Sequence, residues 1–183
     1  MEAFLVSASV VALAEFGDKT QLLALVLAAR YRRPIPIVAG ILLATLANHA
    51  LAAAAGKWIT TAVDPHVLRW VLGVSFIAMA AWTLIPDKLE KKDNRLARLG
   101  VFGATLVSFF LVEMGDKTQL ATIALAAHYG NFTWVLAGTT FGILIANGPV
   151  VYFGERLLRR VPLRTVHLVA AAMFAVMGIV ALL

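Results

Sequence analysis

The sequence EFGDKTQLLALVLAARY, at residues 15–31, places several charged side chains inside an otherwise apolar segment. It returns as EMGDKTQLATIALAAHY at residues 113–129, with 11 identities in 17 positions. The offset of 98 residues continues without a gap and aligns Gly40 with Gly138. Self-similarity of this kind indicates that the chain contains two copies of one structural unit.

The composition is that of a membrane protein. The 183 residues are 61% hydrophobic and 14% charged, with a mean hydropathy of +0.87. A soluble domain carries about 25% charged residues, so this chain is too apolar for a water-soluble core. Cysteine is absent, which excludes disulfides, thiolate metal sites and cysteine nucleophiles.

Six apolar segments are each long enough for a membrane-spanning helix of roughly 20 residues. They lie at 3–29, 37–55, 67–85, 101–127, 132–154 and 165–183. Helices satisfy their own backbone hydrogen bonds in lipid, so the predicted fold is an all-α membrane protein with six transmembrane helices. The predicted units are a three-helix repeat at 1–85, a charged cytoplasmic linker at 86–98 and a second repeat at 99–183. Because three is odd, the second repeat is expected to be inverted relative to the first, as in many secondary transporters.

The basic residues indicate the orientation. Of the 16 lysines and arginines, 12 fall in the loops at 30–34, 86–98 and 155–164. By the positive-inside rule these loops are cytoplasmic and both termini lie outside. Topology thus accounts for the net charge of +6, and a nucleic-acid partner is not expected.

The acids of the repeated motif are the candidate site. Glu15 and Asp18 are three residues apart, so a continuous helix would carry both on one face, and Glu113 and Asp116 repeat this spacing. An ionised side chain at mid-membrane costs at least about 2.5–3.5 kcal/mol, so a function is expected for these groups. A two-fold axis in the membrane plane would unite the four carboxylates in one metal site.

Other polar groups accompany these acids. Candidates for additional ligands, or for groups lining the path, are Thr20, Gln21, Thr118, Gln119, Asn48 and Asn147. Lys19 and Lys117 are expected to balance charge or to gate the site, and Gly17 and Gly115 permit a local helix break. Four carboxylates and two ammonium groups leave a formal charge of −2, which fits one divalent cation. Oxygen donors suit manganese, calcium or magnesium.

A purely structural interpretation is that each lysine neutralises the glutamate four residues before it. Glu15 with Lys19, and Glu113 with Lys117, have the spacing of helical ion pairs. This interpretation leaves the two aspartates without a role.

The sequence also resembles a known family. Two copies of E-φ-G-D-[KR]-[ST], here EFGDKT and EMGDKT on the first and fourth apolar segments, resemble the cation/Ca²⁺ exchangers once grouped as uncharacterised protein family 0016. That family includes bacterial manganese exporters and Golgi and chloroplast relatives. The resemblance implies transport of manganese(II), or of calcium in some members, in exchange for protons, with the four motif acids binding the cation. The short linker and the absence of a targeting extension resemble a bacterial member in the inner membrane.

The leading hypothesis is therefore a secondary transporter that exports manganese(II) by alternating access. No cofactor is expected, because the metal is the substrate, and the predicted partners are a divalent ion, protons and the lipid bilayer. The alternatives are a Ca²⁺/H⁺ antiporter, a six-span amino-acid exporter, an intramembrane hydrolase and a passive channel. The sequence is compatible with a monomer or a homodimer.

Overall fold

The fold was analysed in a computed structural model that describes residues 1–85, 98–154 and 162–183. Regular structure in these ranges is helical throughout, without a strand, so the all-α prediction is confirmed for them. Apart from Arg98, the predicted linker at 86–98 lies outside the described residues. The helices are α1 (Glu2–Glu15), α2 (Lys19–Tyr31), α3 (Pro34–Ala62), α4 (Pro65–Thr83), α5 (Gly100–Glu113), α6 (Lys117–Tyr129), α7 (Phe132–Phe153) and α8 (Leu163–Leu182).

Four of these helices are long and apolar enough to cross a membrane. They are α3, α4, α7 and α8, and they coincide with the second, third, fifth and sixth predicted spans. Their lengths of 29, 19, 22 and 20 residues compare with the roughly 20 residues that a bilayer requires. The chain is thus a multi-pass membrane protein by the length and composition of its helices.

The first and fourth predicted spans each contain a helix break, which the two motif glycines allowed. Each is divided into two helices, α1 and α2 in the first and α5 and α6 in the fourth. The division falls at Gly17 and Gly115, whose φ angles are +77° and +76°. Residues with a side chain rarely adopt this left-handed conformation, so the two glycines explain why the helices break at these positions.

Glycines allow close packing in two pairs of helices that are equivalent in the repeat. α1 packs against α7, and the equivalent helices α5 and α3 pack against each other. A Cβ atom on Gly138 would lie 2.5 Å from the carbonyl oxygen of Phe4, and one on Gly40 would lie 2.8 Å from Cβ of Thr105. The two aligned glycines therefore permit the same kind of close approach in the two copies.

The buried apolar side chains form two clusters. Cluster I consists of Ala3, Val10, Ala14, Ala53, Leu72, Phe76, Met79, Ala80, Ala121, Ala124, Leu125, Ala126, Ala127, Val135, Ala171 and Phe174. Cluster II consists of Val11, Leu23, Ala24, Leu27, Ile37, Ile41, Ala44, Phe109, Ile143 and Val151. α1 lies mainly in cluster I and α2 in cluster II, whereas α5 lies in cluster II and α6 in cluster I. Each cluster thus combines the first helix of one motif-bearing segment with the second helix of the other.

Candidate cation site

Both motifs form the same turn between two helices. Glu15 ends α1 and Asp18 precedes α2, while Glu113 ends α5 and Asp116 precedes α6. In each copy the aspartate N–H donates to the glutamate carbonyl over 3.0 Å. The prediction that each acid pair lies on one face of a continuous helix is therefore wrong, because the glycine between the two acids turns the chain.

Three of the four predicted acids come together. One carboxylate oxygen each from Glu15, Asp18 and Asp116 lies within 4.8 Å of the other two. These side chains are 0%, 0% and 1% exposed, so the cluster is shielded from solvent and combines residues of both copies. The fourth acid, Glu113, is equally buried but lies outside this group of three.

Each lysine pairs with the aspartate of the other motif. Lys19 Nζ lies 3.0 Å from Asp116 Oδ1, and Lys117 Nζ lies 2.5 Å from Asp18 Oδ1. The structural interpretation left the two aspartates without a role, and these ion pairs give each aspartate a partner. The Lys117 side chain is 1% exposed and the Lys19 side chain 25%, so the two pairs differ in their access to solvent.

The two glutamates are held by polar side chains of the long helices. Thr45 Oγ1 donates to Glu113 Oε1 over 2.5 Å, and Asn48 Nδ2 donates to Glu113 Oε2 over 3.2 Å. In the other copy, Asn147 Nδ2 donates to Glu15 Oε1 over 3.1 Å. Both predicted asparagines therefore contact a motif carboxylate.

The two predicted glutamines stabilise the helix breaks. Gln21 Oε1 accepts the N–H of Gly17 over 2.8 Å, and Gln119 Oε1 accepts the N–H of Gly115 over 2.7 Å. Gln21 Nε2 also donates to the carbonyl of Ala146 over 2.9 Å. These bonds occupy polar backbone groups that the break would leave unpaired, so the glutamines belong to the framework of the site.

The two predicted threonines are buried but differ in their contacts. Thr118 Oγ1 donates to Asp116 Oδ2 over 3.2 Å. Thr20 Oγ1 has no hydrogen-bond partner within the described part of the chain.

Two contacts with the motifs were not predicted from the sequence. Thr45 precedes Asn48 by about one helical turn on α3, and that spacing was an available signal. His167 Nε2 lies 2.5 Å from the carbonyl oxygen of Phe16, in the break of the first motif. Its aligned residue is Arg69, so nothing in the repeat identified this contact.

Helix ends add to the electrostatics of the site. The C-termini of α1 and α5 bring partial negative charge, which favours a cation. The N-termini of α2 and α6 bring partial positive charge next to Asp18 and Asp116, which favours the ionised carboxylates. A cation between the motifs would thus lie near two helix C-termini that carry partial negative charge.

A multi-pass helical protein with buried carboxylates at two helix breaks has the construction of a membrane ion carrier. The chain belongs to the GDT1 family of divalent cation/proton antiporters, whose model matches residues 3–91 and 101–183. The resemblance seen in the sequence is thereby confirmed. So is the prediction of a transporter rather than an enzyme, since the family is one of antiporters.

Several curated proteins are similar over most of their length. A Vibrio cholerae protein named "Putative manganese exporter" is 51% identical over 180 residues, covering 98% of this chain and 90% of that protein. The Saccharomyces cerevisiae "Divalent cation/proton antiporter GDT1" is 25% identical over 234 residues, covering 98% and 82%. "GDT1-like protein 3" of Oryza sativa is 26% identical over 200 residues, covering 94% and 71%. No solved structure gives a significant match.

Proposed function

We propose that this protein exports manganese(II) across the bacterial inner membrane in exchange for protons. The observation that carries the proposal is the buried group of Glu15, Asp18 and Asp116, whose carboxylate oxygens lie within 4.8 Å of one another. Three ionised carboxylates at this spacing repel one another, and a divalent cation, protons or the lysine ammonium groups relieve that repulsion. The name of the 51% identical Vibrio cholerae relative supports manganese as that cation.

The donor atoms around the acids are the kind that a hard divalent ion prefers. Three buried oxygens have no hydrogen-bond partner among the described residues: Glu15 Oε2, Thr20 Oγ1 and Asn147 Oδ1. Buried polar atoms usually have a partner, so these oxygens are available to a ligand. Carboxylate, hydroxyl and amide oxygens suit manganese, calcium and magnesium.

The lysines act as tethered cations in this proposal. In the empty carrier, Lys19 and Lys117 neutralise the aspartates of the opposite motif. A divalent ion must displace these ammonium groups to reach the carboxylates, and protons compete for the same oxygens. Ammonium groups, metal and protons therefore occupy one anionic centre in turn, which is the basis for exchange.

The proposed architecture is six spans arranged as two inverted three-helix repeats, 1–85 and 99–183. Two findings support inversion: each apolar cluster combines the first helix of one motif-bearing segment with the second helix of the other, and both motifs contribute to one buried centre. The excess of basic residues in alternate loops supports termini that face outside.

Flux in proteoliposomes tests the proposed function. Reconstituted protein should move manganese faster than magnesium, and an imposed pH gradient should accelerate that movement. A preference for calcium would instead identify a Ca²⁺/H⁺ antiporter, and flux that ignores the gradient would refute proton exchange.

Matched variants test the site. Asp18→Asn and Asp116→Asn should each reduce manganese flux to background while the protein still inserts and purifies as a folded species. Asp64→Asn is the control, because Asp64 is exposed at the start of α4 and asparagine caps a helix equally well. Normal flux in either motif variant would contradict the assignment.

A further inference from the structure

The helices α4 and α8 form a two-helix unit, called here the α4–α8 pair, that follows the repeat symmetry. Phe76 and Phe174 are aligned residues of the two copies, and their rings stack with centroids 6.5 Å apart. The antiparallel register agrees, because a Cβ atom on Gly73 would lie 2.4 Å from the Leu182 side chain and 3.1 Å from the Gly178 carbonyl oxygen. If each residue of the pair is replaced by its aligned residue in the other copy, the same residues still face each other. A local two-fold axis therefore passes between the two phenylalanine rings.

This symmetric pair sits asymmetrically on the other helices. α8 packs against α1, and α4 packs against α6. In the arrangement related to this one by the repeat, α4 would pack against α5 and α8 would pack against α2. No comparable packing joins those helices over residues 1–85, 98–154 and 162–183. The pair thus occupies one of two positions that the repeat makes equivalent.

The two helix breaks show the same asymmetry. At the first break, His167 contacts the carbonyl of Phe16, and a Cβ atom on Gly17 would lie 3.2 Å from both His167 Nε2 and the Leu163 side chain. At the second break, no atom of the described residues lies within 4 Å of the corresponding position on Gly115.

Exposure of the second break agrees with this difference. Met114 is 54% exposed and Gly115 is also exposed, whereas their counterparts in the first copy are only partly exposed. The α4–α8 pair therefore covers one break and leaves the other uncovered.

The interface between α4 and α6 leaves room for movement. An apolar cleft of about 320 Å³ lies between α3, α4 and α6. Leu72, Ser75 and Met79 line it from α4, and Leu120 and Ala124 line it from α6. Close packing normally opposes sliding, so an open apolar interface costs less to shift.

We infer that the α4–α8 pair moves as a unit between two docking positions, one on α1 and α6 and the other on α5 and α2. The inference rests on the inverted repeat of the proposed function. In the second position, Arg69 and Pro65 take the places of His167 and Leu163 and cover the break at Gly115. The pair thereby uncovers one motif while it covers the other.

Cross-linking tests the second position, and the absence of cysteine from the sequence makes introduced cysteines unique. The pair Phe16→Cys with Leu163→Cys reports the described position. The aligned pair Met114→Cys with Pro65→Cys reports the exchanged one. A flexible, cleavable bismaleimide should join each pair, and each cross-link should stop manganese flux until it is cleaved. If Met114→Cys/Pro65→Cys does not cross-link in protein that transports, the inference is overturned.

Two further variants separate movement of the pair from damage to it. Phe76→Cys with Phe174→Cys joins α4 to α8 where the two rings stack. Forming this cross-link should leave flux as it is in the same variant without the cross-linker, and loss of flux on cross-linking would overturn movement as a rigid unit. His167→Ala removes the donor to Phe16, a bond typically contributing about 1 kcal/mol, and should change the ratio of the two positions about fivefold. An unchanged ratio would refute the role of His167.

Spin labels provide a measurement that does not touch the motifs. Leu5 on α1 and Val176 on α8 are 58% and 60% exposed and accept labels. Double electron–electron resonance should find two distance populations whose ratio changes with manganese, and a single fixed distance would overturn the inference. Two populations without manganese flux would refute only the proposed function, and flux with a single population would refute only the movement.

Discussion

Replacing Lys117 by glutamine should tighten manganese binding and slow net export. Its ammonium group lies 2.5 Å from Asp18 Oδ1, and the two side chains are 1% and 0% exposed. A metal that binds Asp18 must break this pair, so the lysine lowers the apparent affinity of the site. Without the lysine, the empty carrier loses a counter-charge to Asp18, and the buried carboxylate becomes more costly.

The size of the effect follows from burial. Loss of one partner of a buried ion pair typically costs about 3–5 kcal/mol, and each 1.4 kcal/mol is a factor of about ten in affinity. Because the displaced ammonium recovers part of this energy elsewhere, Lys117→Gln should lower the dissociation constant of manganese by about 10- to 100-fold. Lys19 is 25% exposed, water already competes for it, and Lys19→Gln should change the constant by less than about tenfold.

Calorimetric titration of purified protein with manganese measures the dissociation constants of the Lys117→Gln and Lys19→Gln variants. The control is Lys57→Gln, at an exposed position of α3. Proteoliposome assays should show net efflux falling further than manganese–manganese exchange, because exchange never requires the empty carrier to return. Unchanged or weaker binding in Lys117→Gln, or a larger effect at Lys19, would refute the view of the lysines as tethered cations.

Substitutions at Gly17, Gly115 and Thr45 test the framework of the site. Gly17→Ala and Gly115→Ala both place a side chain at a left-handed φ, which costs about 1–2 kcal/mol, and both should lower the melting temperature in detergent. Gly17→Ala should lower it more, because its Cβ would lie 3.2 Å from side-chain atoms of α8; equal losses would contradict the docking of α8 at that break. Thr45→Val should destabilise the protein by about 1.5–3 kcal/mol through the lost donor to Glu113, as measured by thermal unfolding, whereas Thr45→Ser should restore stability. Equal instability of the serine variant would show that the hydroxyl is not the cause.

The motif residues could be singled out from the sequence because burial of charge in an apolar segment requires a reason. The motif acids are indeed buried, and Asn48 and Asn147 contact two of them. The partners of the lysines were not predictable, because the rule of pairs four residues apart holds only within an unbroken helix. A glycine inside an apolar segment is compatible with either a bent or a broken helix, and only the observed φ angles distinguish the two.

The asymmetry between the copies was equally beyond sequence reasoning, and its origin lies outside the motifs. The residues after the two glutamates have φ and ψ of −62° and 124° in Phe16 and −64° and 119° in Met114. The two aspartates agree as closely, at −79° and 167° against −80° and 162°. Identical turns therefore meet different surroundings, and the difference arises from where the α4–α8 pair docks. Residues that the repeat does not preserve, such as His167 opposite Arg69, must then set the relative stability of the two positions, because identical residues would stabilise both equally.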